Sequence, residues 1–256
     1  MPSIFAWVAY VLLAVGLIHQ WLKQKEYVFS HDIIATIANR HIPKTDRDLE
    51  ASMTSLVSEL QSKYPGHILP TKDLQWFFIN RAGWMASICI LHASLTEYVA
   101  LLGTAMETSG HSGHYFINIS DTLLSGKFHR WKEGEFRSKT FTAGDTIYHL
   151  AGEASGVHWT AGTYMIEYGR GFLISALPTA FADVIFSTHD FVSMFQVLKL
   201  SYTHLFASEV FSSKADLRNN LHSVKFIEKG FFISKLQTRK SVVIGYFTRI
   251  RNITLA

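Results

Sequence analysis

Residues 140–171 read TFTAGDTIYHLAGEASGVHWTAGTYMIEYGRG, a run of short β-branched and aromatic segments interrupted by glycine. Turn signals fall between the candidate strands at five glycines, Gly144, Gly152, Gly156, Gly162 and Gly169. Similar segments begin near residue 113, and residues 84–104 form nearly continuous apolar runs. Strands spaced this closely predict a small, closed β-barrel.

The first residues of the chain have a different character. The segment from Pro2 to Leu22 contains no Asp, Glu, Lys or Arg. A helix of about 20 apolar residues spans the hydrocarbon core of a bilayer, so we predict a transmembrane helix at residues 2–22. A cleaved signal peptide is the alternative, but Gly16 is followed by bulky residues rather than by a cleavage site. Lys23 and Lys25 favour a cytosolic body, although the orientation stays open.

Helical patterns flank the predicted barrel, which we place at residues 65–176. Residues 28–64 carry apolar side chains at helical spacing, and residues 177–212 return to that spacing. The second segment has no apolar run of about 18 residues, so we predict two amphipathic helices on a membrane surface or over the barrel. Ordinary core helices are the alternative. The predicted fold class is therefore α+β, with one anchor, one barrel and flanking helices.

The formal net charge of +4 is unevenly distributed. Residues 214–256 carry nine Lys or Arg against two acidic residues, a net charge of +7, so the remainder carries about −3 (4 − 7). A nucleic-acid partner is not indicated, because the basic excess lies in one terminal segment without a nucleic-acid-binding motif. We expect residues 213–256 to be a basic extension of unknown role, either at a membrane surface or solvated.

Two acidic residues lie in apolar strand segments. Glu167 occurs in TYMIEYG and Asp121 in INISDTLL. A carboxylate in an apolar cavity seeks a cation or shares a proton with a second acid, which suits a protonated amine as ligand. The same pair could donate and remove protons in a reaction. Either residue could instead face solvent on the outer side of the sheet.

Metal ligands are not predicted, and no cofactor is expected. His149 and Glu153 match only a fragment of a histidine- and glutamate-rich metal motif, since Ala151 stands where a second histidine is required. His111 and His114 in GHSGH are interpreted as turn and strand residues. The single cysteine, Cys89, excludes a disulfide within the chain.

Five longer motifs resemble one family, that of the sigma-1 receptor and the fungal C-8 sterol isomerase. They are LQWFFINRAGWM, LHASLTEYVALLGTA, GHSGHYFINISDTLLSGKFHRW, MIEYGRG and FADVIFSTHDF. The resemblance covers about residues 27–206, and the extension after residue 213 has no counterpart. It implies one transmembrane helix, a cupin-like barrel around the ligand, two C-terminal helices flat on the membrane, and a homotrimer in the endoplasmic reticulum.

The resemblance also implies the residues of a ligand site. Glu167 is similar to the family's ammonium-binding carboxylate, Asp121 to its hydrogen-bonded partner, and Tyr98 to a residue that supports Glu167. The implied pocket wall comprises Ile79, Trp84, Leu102, Tyr115, Ile119, His149, Val157, Trp159, Met165, Leu177, Ala180 and Tyr202. Tyr202 matches only with a one-residue gap. Leu102 stands where the animal receptors usually carry Phe, so ligand preference is expected to differ.

Two functions are consistent with this resemblance. The first is a non-enzymatic receptor or chaperone that binds lipophilic amines or sterols and acts on ion channels, other membrane proteins and lipid handling. Its location would be the endoplasmic reticulum membrane and the nuclear envelope. The second is a sterol Δ8–Δ7 isomerase with Asp121 and Glu167 as acid and base. The receptor is preferred because the motifs resemble the animal receptors.

Ala82 and Ala86 occupy the family's small-residue oligomer motif.

Overall fold

The computed structural model describes residues 4–199, which contain both helices and antiparallel strands. The predicted α+β class is therefore confirmed. A final helix, α5, covers residues 191–199 at the end of the described part. The helices before it are α1 (Ile4–Gln24), α2 (His31–Arg40), α3 (Leu49–Lys63) and α4 (Leu177–Asp183).

Ten strands within this part of the chain form two sheets. The strands are β1 (Trp76–Arg81), β2 (Trp84–Ala93), β3 (Glu97–Thr104), β4 (Thr108–His111), β5 (Ile117–Ser125), β6 (Lys127–Lys132), β7 (Lys139–Thr142), β8 (Thr146–His149), β9 (Ser155–Trp159) and β10 (Thr163–Gly171). The larger sheet has the order β1-β2-β3-β10-β5-β8, and the smaller has the order β4-β9-β6-β7.

The larger sheet is covered on both faces. On one face it packs against α2 and α3, where Ile34 and Leu56 share a buried cluster with Ile166 of β10. On the other face it packs against the smaller sheet, where Met165 of β10 shares a cluster with Phe128 of β6. Neighbouring residues of a strand point to opposite faces, so adjacent positions serve different layers. We call the second cluster the inter-sheet layer; it comprises Trp84, Ala86, Ala100, Leu102, Leu123, Phe128, Phe141, Ile147, Val157, Trp159 and Met165.

The prediction of a closed barrel was wrong. Among residues 4–199, each ladder of paired strands stays within its own sheet, and the two sheets are not joined into one. The apolar side chains of both sheets are buried by packing face to face, as in a sandwich. Burial of this core therefore does not require hydrogen bonds that close the sheet on itself.

The apolar helix predicted at the start of the chain is present as α1. It has 21 residues, none of them buried against the rest of the described protein. At about 1.5 Å per residue, such a helix matches the roughly 30 Å hydrocarbon core of a bilayer. Its length and composition are those of a membrane span.

After β10 the chain is helical again. The helix α4 continues into a π-helical segment, Val184–Thr188, and His189, in a left-handed conformation, separates this segment from α5. The Asp183 carboxylate accepts a hydrogen bond from the Ala82 amide at 2.9 Å, which ties α4 to the β1–β2 turn. Several large apolar side chains here are exposed, among them Phe186, Val192 and Phe195. The predicted end of this helix pair at residue 212 and the extension at 213–256 lie outside the described residues.

Candidate functional site

Glu167 and Asp121 lie opposite each other on neighbouring strands. Glu167 of β10 pairs in register with Asp121 of β5. Two residues away on the same strands are Met165 and Leu123, both members of the inter-sheet layer. Because side chains two apart share a face, both carboxyl groups point between the sheets. The solvent-facing alternative does not hold for Asp121, which is only 4% exposed.

Tyr98 holds one end of Glu167. Its hydroxyl donates a hydrogen bond to Glu167 Oε1. Tyr98 of β3 pairs with Gly169 of β10, and a Cβ on Gly169 would lie 2.1 Å from the tyrosine ring. Only glycine leaves room for the ring in this position. Gly169 in MIEYGRG thus allows Tyr98 to reach the Glu167 carboxylate.

His149 lies beside the other acid. Its Nε2 is 3.1 Å from Asp121 Oδ2, and both side chains are nearly buried. The second oxygen, Oδ1, is buried without a hydrogen-bond donor among the described residues. A protonated Glu167 can donate a hydrogen bond to Asp121, and, after burial and the charge of Asp121, this bond also raises the pKa of Glu167. The two acids therefore form a unit that is stabilised when one proton is shared between them.

The electrostatic environment favours this shared proton. Burial raises the pKa of Glu167, and the nearby Asp121 carboxylate raises it further. The Tyr98 hydrogen bond and the charge of Arg81 act in the opposite direction but do not outweigh these causes. Burial, with the charge of Glu167 second, also raises the pKa of Tyr98 well above its ordinary value, so its hydroxyl remains a donor.

Arg81 is a part of this region that the sequence analysis missed. It ends β1, and its guanidinium lies 5.6 Å from the centre of the Tyr115 ring, in a cation–π contact. Its sequence position next to the Ala82–Gly83 turn gave no signal of proximity to Glu167. Only the pairing of β1 into the larger sheet brings the cation close enough to affect the acid.

The predicted wall residues are divided by the structure. Five of them belong to the inter-sheet layer, namely Trp84, Leu102, Val157, Trp159 and Met165. Ile79 packs against this layer. Tyr115 is buried, and Ile119 pairs with His149 across β5 and β8. Leu177 and Ala180 lie on α4, where Leu177 is exposed. Tyr202 lies outside the described residues.

A metal site is not built around the carboxyl pair. Glu153 lies 3.1 Å from Lys132 Nζ, while His149 faces Asp121, so these two do not form a ligand set together. In the described part of the chain, one group has its potential ligand atoms within 4.8 Å of one another, and all its members are exposed. It consists of His111, His114 and Glu133.

A second buried acid, Glu97, was also missed. Its carboxylate oxygens accept hydrogen bonds from the amides of Val28 at 2.9 Å and Phe29 at 3.1 Å. The Tyr168 hydroxyl lies 2.9 Å from the Phe29 carbonyl oxygen and 3.1 Å from Glu97 Oε2. These contacts, which we call the linker clamp, hold the segment after α1 on the outer face of the larger sheet.

The clamp and the carboxyl pair use adjacent residues of the same strands. On β3, Glu97 faces the linker and Tyr98 faces the layer between the sheets. On β10, Tyr168 and Glu167 divide in the same way. The sequence places Glu97 next to Tyr98 and Tyr168 next to Glu167, which predicts opposite faces for each pair. It could not show which face of the sheet each residue would occupy.

The architecture is that of an α+β protein with an apolar helix of membrane-span length and a pair of acids between two sheets. A family model described as "ERG2 and Sigma1 receptor like protein" matches residues 5–229. The chain belongs to this family. The match extends past residue 213, so the expectation that the family resemblance ends before that residue was wrong.

Individual relatives agree with the family match. The sigma non-opioid intracellular receptor 1 of Xenopus tropicalis is 53% identical over 193 residues, covering 75% of this chain and 86% of the relative. The protein of the same name from Gallus gallus is 51% identical over 208 residues, covering 80% and 91%. The C-8 sterol isomerase ERG2 of Gibberella zeae is 31% identical over 176 residues, covering 68% and 74%.

Among solved structures, an RmlC-like cupin from Shewanella frigidimarina is similar to part of the chain. The TM-score is 0.34 at 16% identity, covering 41% of this chain and 90% of the cupin.

Proposed function

We propose that the protein is a sigma-1-like intracellular receptor that binds a lipophilic amine or a sterol between the two sheets. The observation that carries this proposal is the acid pair between the sheets, Glu167 and the buried Asp121, set among apolar side chains with Tyr98 hydrogen-bonded to Glu167. The receptor names of relatives that are 53% and 51% identical support this function over an enzymatic one.

The proton shared by Glu167 and Asp121 indicates how the ligand binds. A ligand ammonium group supplies the positive charge that an ionised Glu167 needs in a desolvated layer. The contact of Asp121 with His149 then limits repulsion between the acids. Trp84, Trp159 and Met165 present apolar surface to the hydrophobic arms of the ligand.

The proposed receptor acts without transferring atoms. Binding shifts the populations of its assemblies and thereby changes contacts with ion channels and other membrane proteins, as a chaperone does. We place it as a homotrimer in the endoplasmic reticulum membrane and nuclear envelope, with α1 as its anchor and a role in lipid handling. It uses no cofactor and binds no nucleic acid.

The experiment is a comparison of two ligands with the full-length protein in detergent. One is a lipophilic tertiary amine; the other is its isostere with carbon in place of nitrogen. We expect tight binding of the amine and at least tenfold weaker binding of the neutral isostere, because only the amine can pair with Glu167. Equal affinities would refute ammonium recognition.

The alternative function is sterol isomerisation, favoured by the 31% identity to a C-8 sterol isomerase and by the presence of two acids in one site. One acid would protonate the sterol double bond, and the other would remove a proton from the neighbouring carbon. Complementation of a fungal strain that lacks its own isomerase distinguishes the two functions. Restored Δ7 sterols, lost again with Glu167→Gln, would identify an enzyme; unchanged sterols despite amine binding would support the receptor.

A further inference from the structure

Two indole N–H groups of the inter-sheet layer have no acceptor. Trp84 begins β2 of the larger sheet, and Trp159 ends β9 of the smaller sheet. Both side chains are buried, at 7% and 4% exposure, and neither Nε1 has a hydrogen-bond partner in the described structure. An indole N–H can only donate, so each nitrogen requires an oxygen or another acceptor.

The two rings come together from opposite sheets. Their centres are 5.0 Å apart, with 40° between the ring planes, and Trp159 also contacts Phe128 at 5.7 Å. The surrounding members of the layer are apolar, so a phenylalanine at either position would fill much of the space without burying a polar group. Leaving a buried donor unsatisfied is costly, and native proteins rarely do so without a reason.

Two other buried donors, the hydroxyls of Tyr64 and Tyr115, also have no hydrogen-bond partner in the described structure. The Tyr98 hydroxyl, which packs against the same layer, donates to Glu167. The Nε1 of Trp131, an exposed residue on β6, donates to the Glu135 carbonyl in its own turn. Among the buried donors without a partner in the described structure, the two indoles are the ones that belong to the inter-sheet layer.

We propose that Trp84 and Trp159 form a subsite for a hydrogen-bond acceptor on the ligand. The ligand class is then an amphiphile with two polar groups: an ammonium that pairs with Glu167 and an ether, carbonyl or hydroxyl oxygen on one of its apolar arms. This inference rests on the proposed function, since it deepens the description of the same ligand site. The carboxyl pair selects for charge, and the indoles select for an oxygen on the arm.

The test uses a matched ligand series with the full-length protein. The parent compound is a lipophilic tertiary amine with an alkyl arm, and each analogue replaces one methylene of that arm by an ether oxygen at successive positions. We expect one position to bind about tenfold more tightly than the parent, because it alone reaches the indole donors. The other positions should bind more weakly, since they bury an oxygen without a donor.

Variants assign this preference to the tryptophans. In Trp84→Phe and Trp159→Phe the ether preference should fall to about twofold or less, while the all-carbon parent still reports the integrity of the pocket. The matched control, Trp131→Phe, should keep the full preference. A series in which no ether analogue exceeds the parent, or a preference unchanged in both variants, would overturn the subsite. If the parent amine itself does not bind, the proposed function fails instead.

Discussion

At the scale of single residues, the site depends on how two acids remain buried together. Asp121 and Glu167 face each other across paired strands, with Tyr98 on one and His149 beside the other. The apolar sequence around each acid indicated burial, and the family resemblance paired them. The contact of His149 and the charge of Arg81 could not be predicted, because both depend on which strands become neighbours.

The shared proton predicts how stability depends on pH. The pKa of Glu167 is raised above its ordinary value of 4.5. Above that pH the folded protein binds more protons at this site than the unfolded chain does, so this contribution to stability is complete at low pH and is lost as pH rises through the folded pKa. Thermal melts of the ligand-free protein should show this loss, and Glu167→Gln should remove it. A wild-type pH profile that matches the variant's would contradict the shared proton.

At the scale of elements, the two faces of the larger sheet make different sets of contacts. Its outer face packs against the helices and carries the linker clamp, and its inner face carries the acid pair of the proposed ligand site. Strand and helix segments could be predicted from period and glycine spacing. The division into two sheets could not, because it depends on long-range pairing such as β3 with β10, whose residues are far apart in sequence.

The linker clamp makes Glu97 a structural acid. Replacing Glu97 with Gln leaves one acceptor for the amides of Val28 and Phe29 and removes the charge from both hydrogen bonds. We expect a loss of about 2 kcal/mol in the free energy of unfolding, with faster hydrogen exchange at residues 28 and 29. Glu59→Gln, which alters an ion pair at the surface, should have a much smaller effect. If both substitutions lowered the free energy of unfolding equally, the linker clamp would contribute no more to stability than a surface ion pair.

The β1–β2 turn contains a strained alanine. Ala82 and Gly83 have φ angles of 47° and 99°, and a left-handed alanine costs roughly 1–2 kcal/mol. Ala82→Gly should therefore raise the free energy of unfolding by about 0.5 kcal/mol, after the added freedom of the unfolded chain is subtracted. The control is Ala86→Gly on the same hairpin, which removes a buried methyl group and should destabilise by about 1 kcal/mol. Chemical denaturation measures both, and a destabilising Ala82→Gly would contradict the strain.

At the scale of the whole molecule, the chain combines a bilayer-length helix, a folded body and a basic C-terminal segment. The helices α4 and α5 carry exposed apolar side chains, and α1 has a length that suits a membrane span. The apolar helix at residues 4–24 and the α+β class could be predicted from composition and period alone. The choice between receptor and isomerase could not, because two acids in one site suit both amine binding and proton transfer.

The basic segment gives a prediction of its own. Residues 214–256 carry a net charge of +7, so we expect them to bind anionic lipid. In a chain without residues 1–24, deletion of residues 214–256 should reduce flotation with anionic liposomes at low ionic strength. High salt should abolish the difference, because screening weakens attraction to the surface. Equal flotation of the two chains at low salt would refute the proposal.

The central claim is that Glu167 binds the ammonium group of the ligand. Its most direct test is the affinity of a lipophilic tertiary amine for the full-length wild type and for Glu167→Gln, with Glu107→Gln as the control at an exposed carboxylate. We predict that Glu167→Gln weakens binding by about 2 kcal/mol or more, or about 30-fold, while Glu107→Gln binds as the wild type does. Affinity unchanged in folded Glu167→Gln protein would contradict the claim.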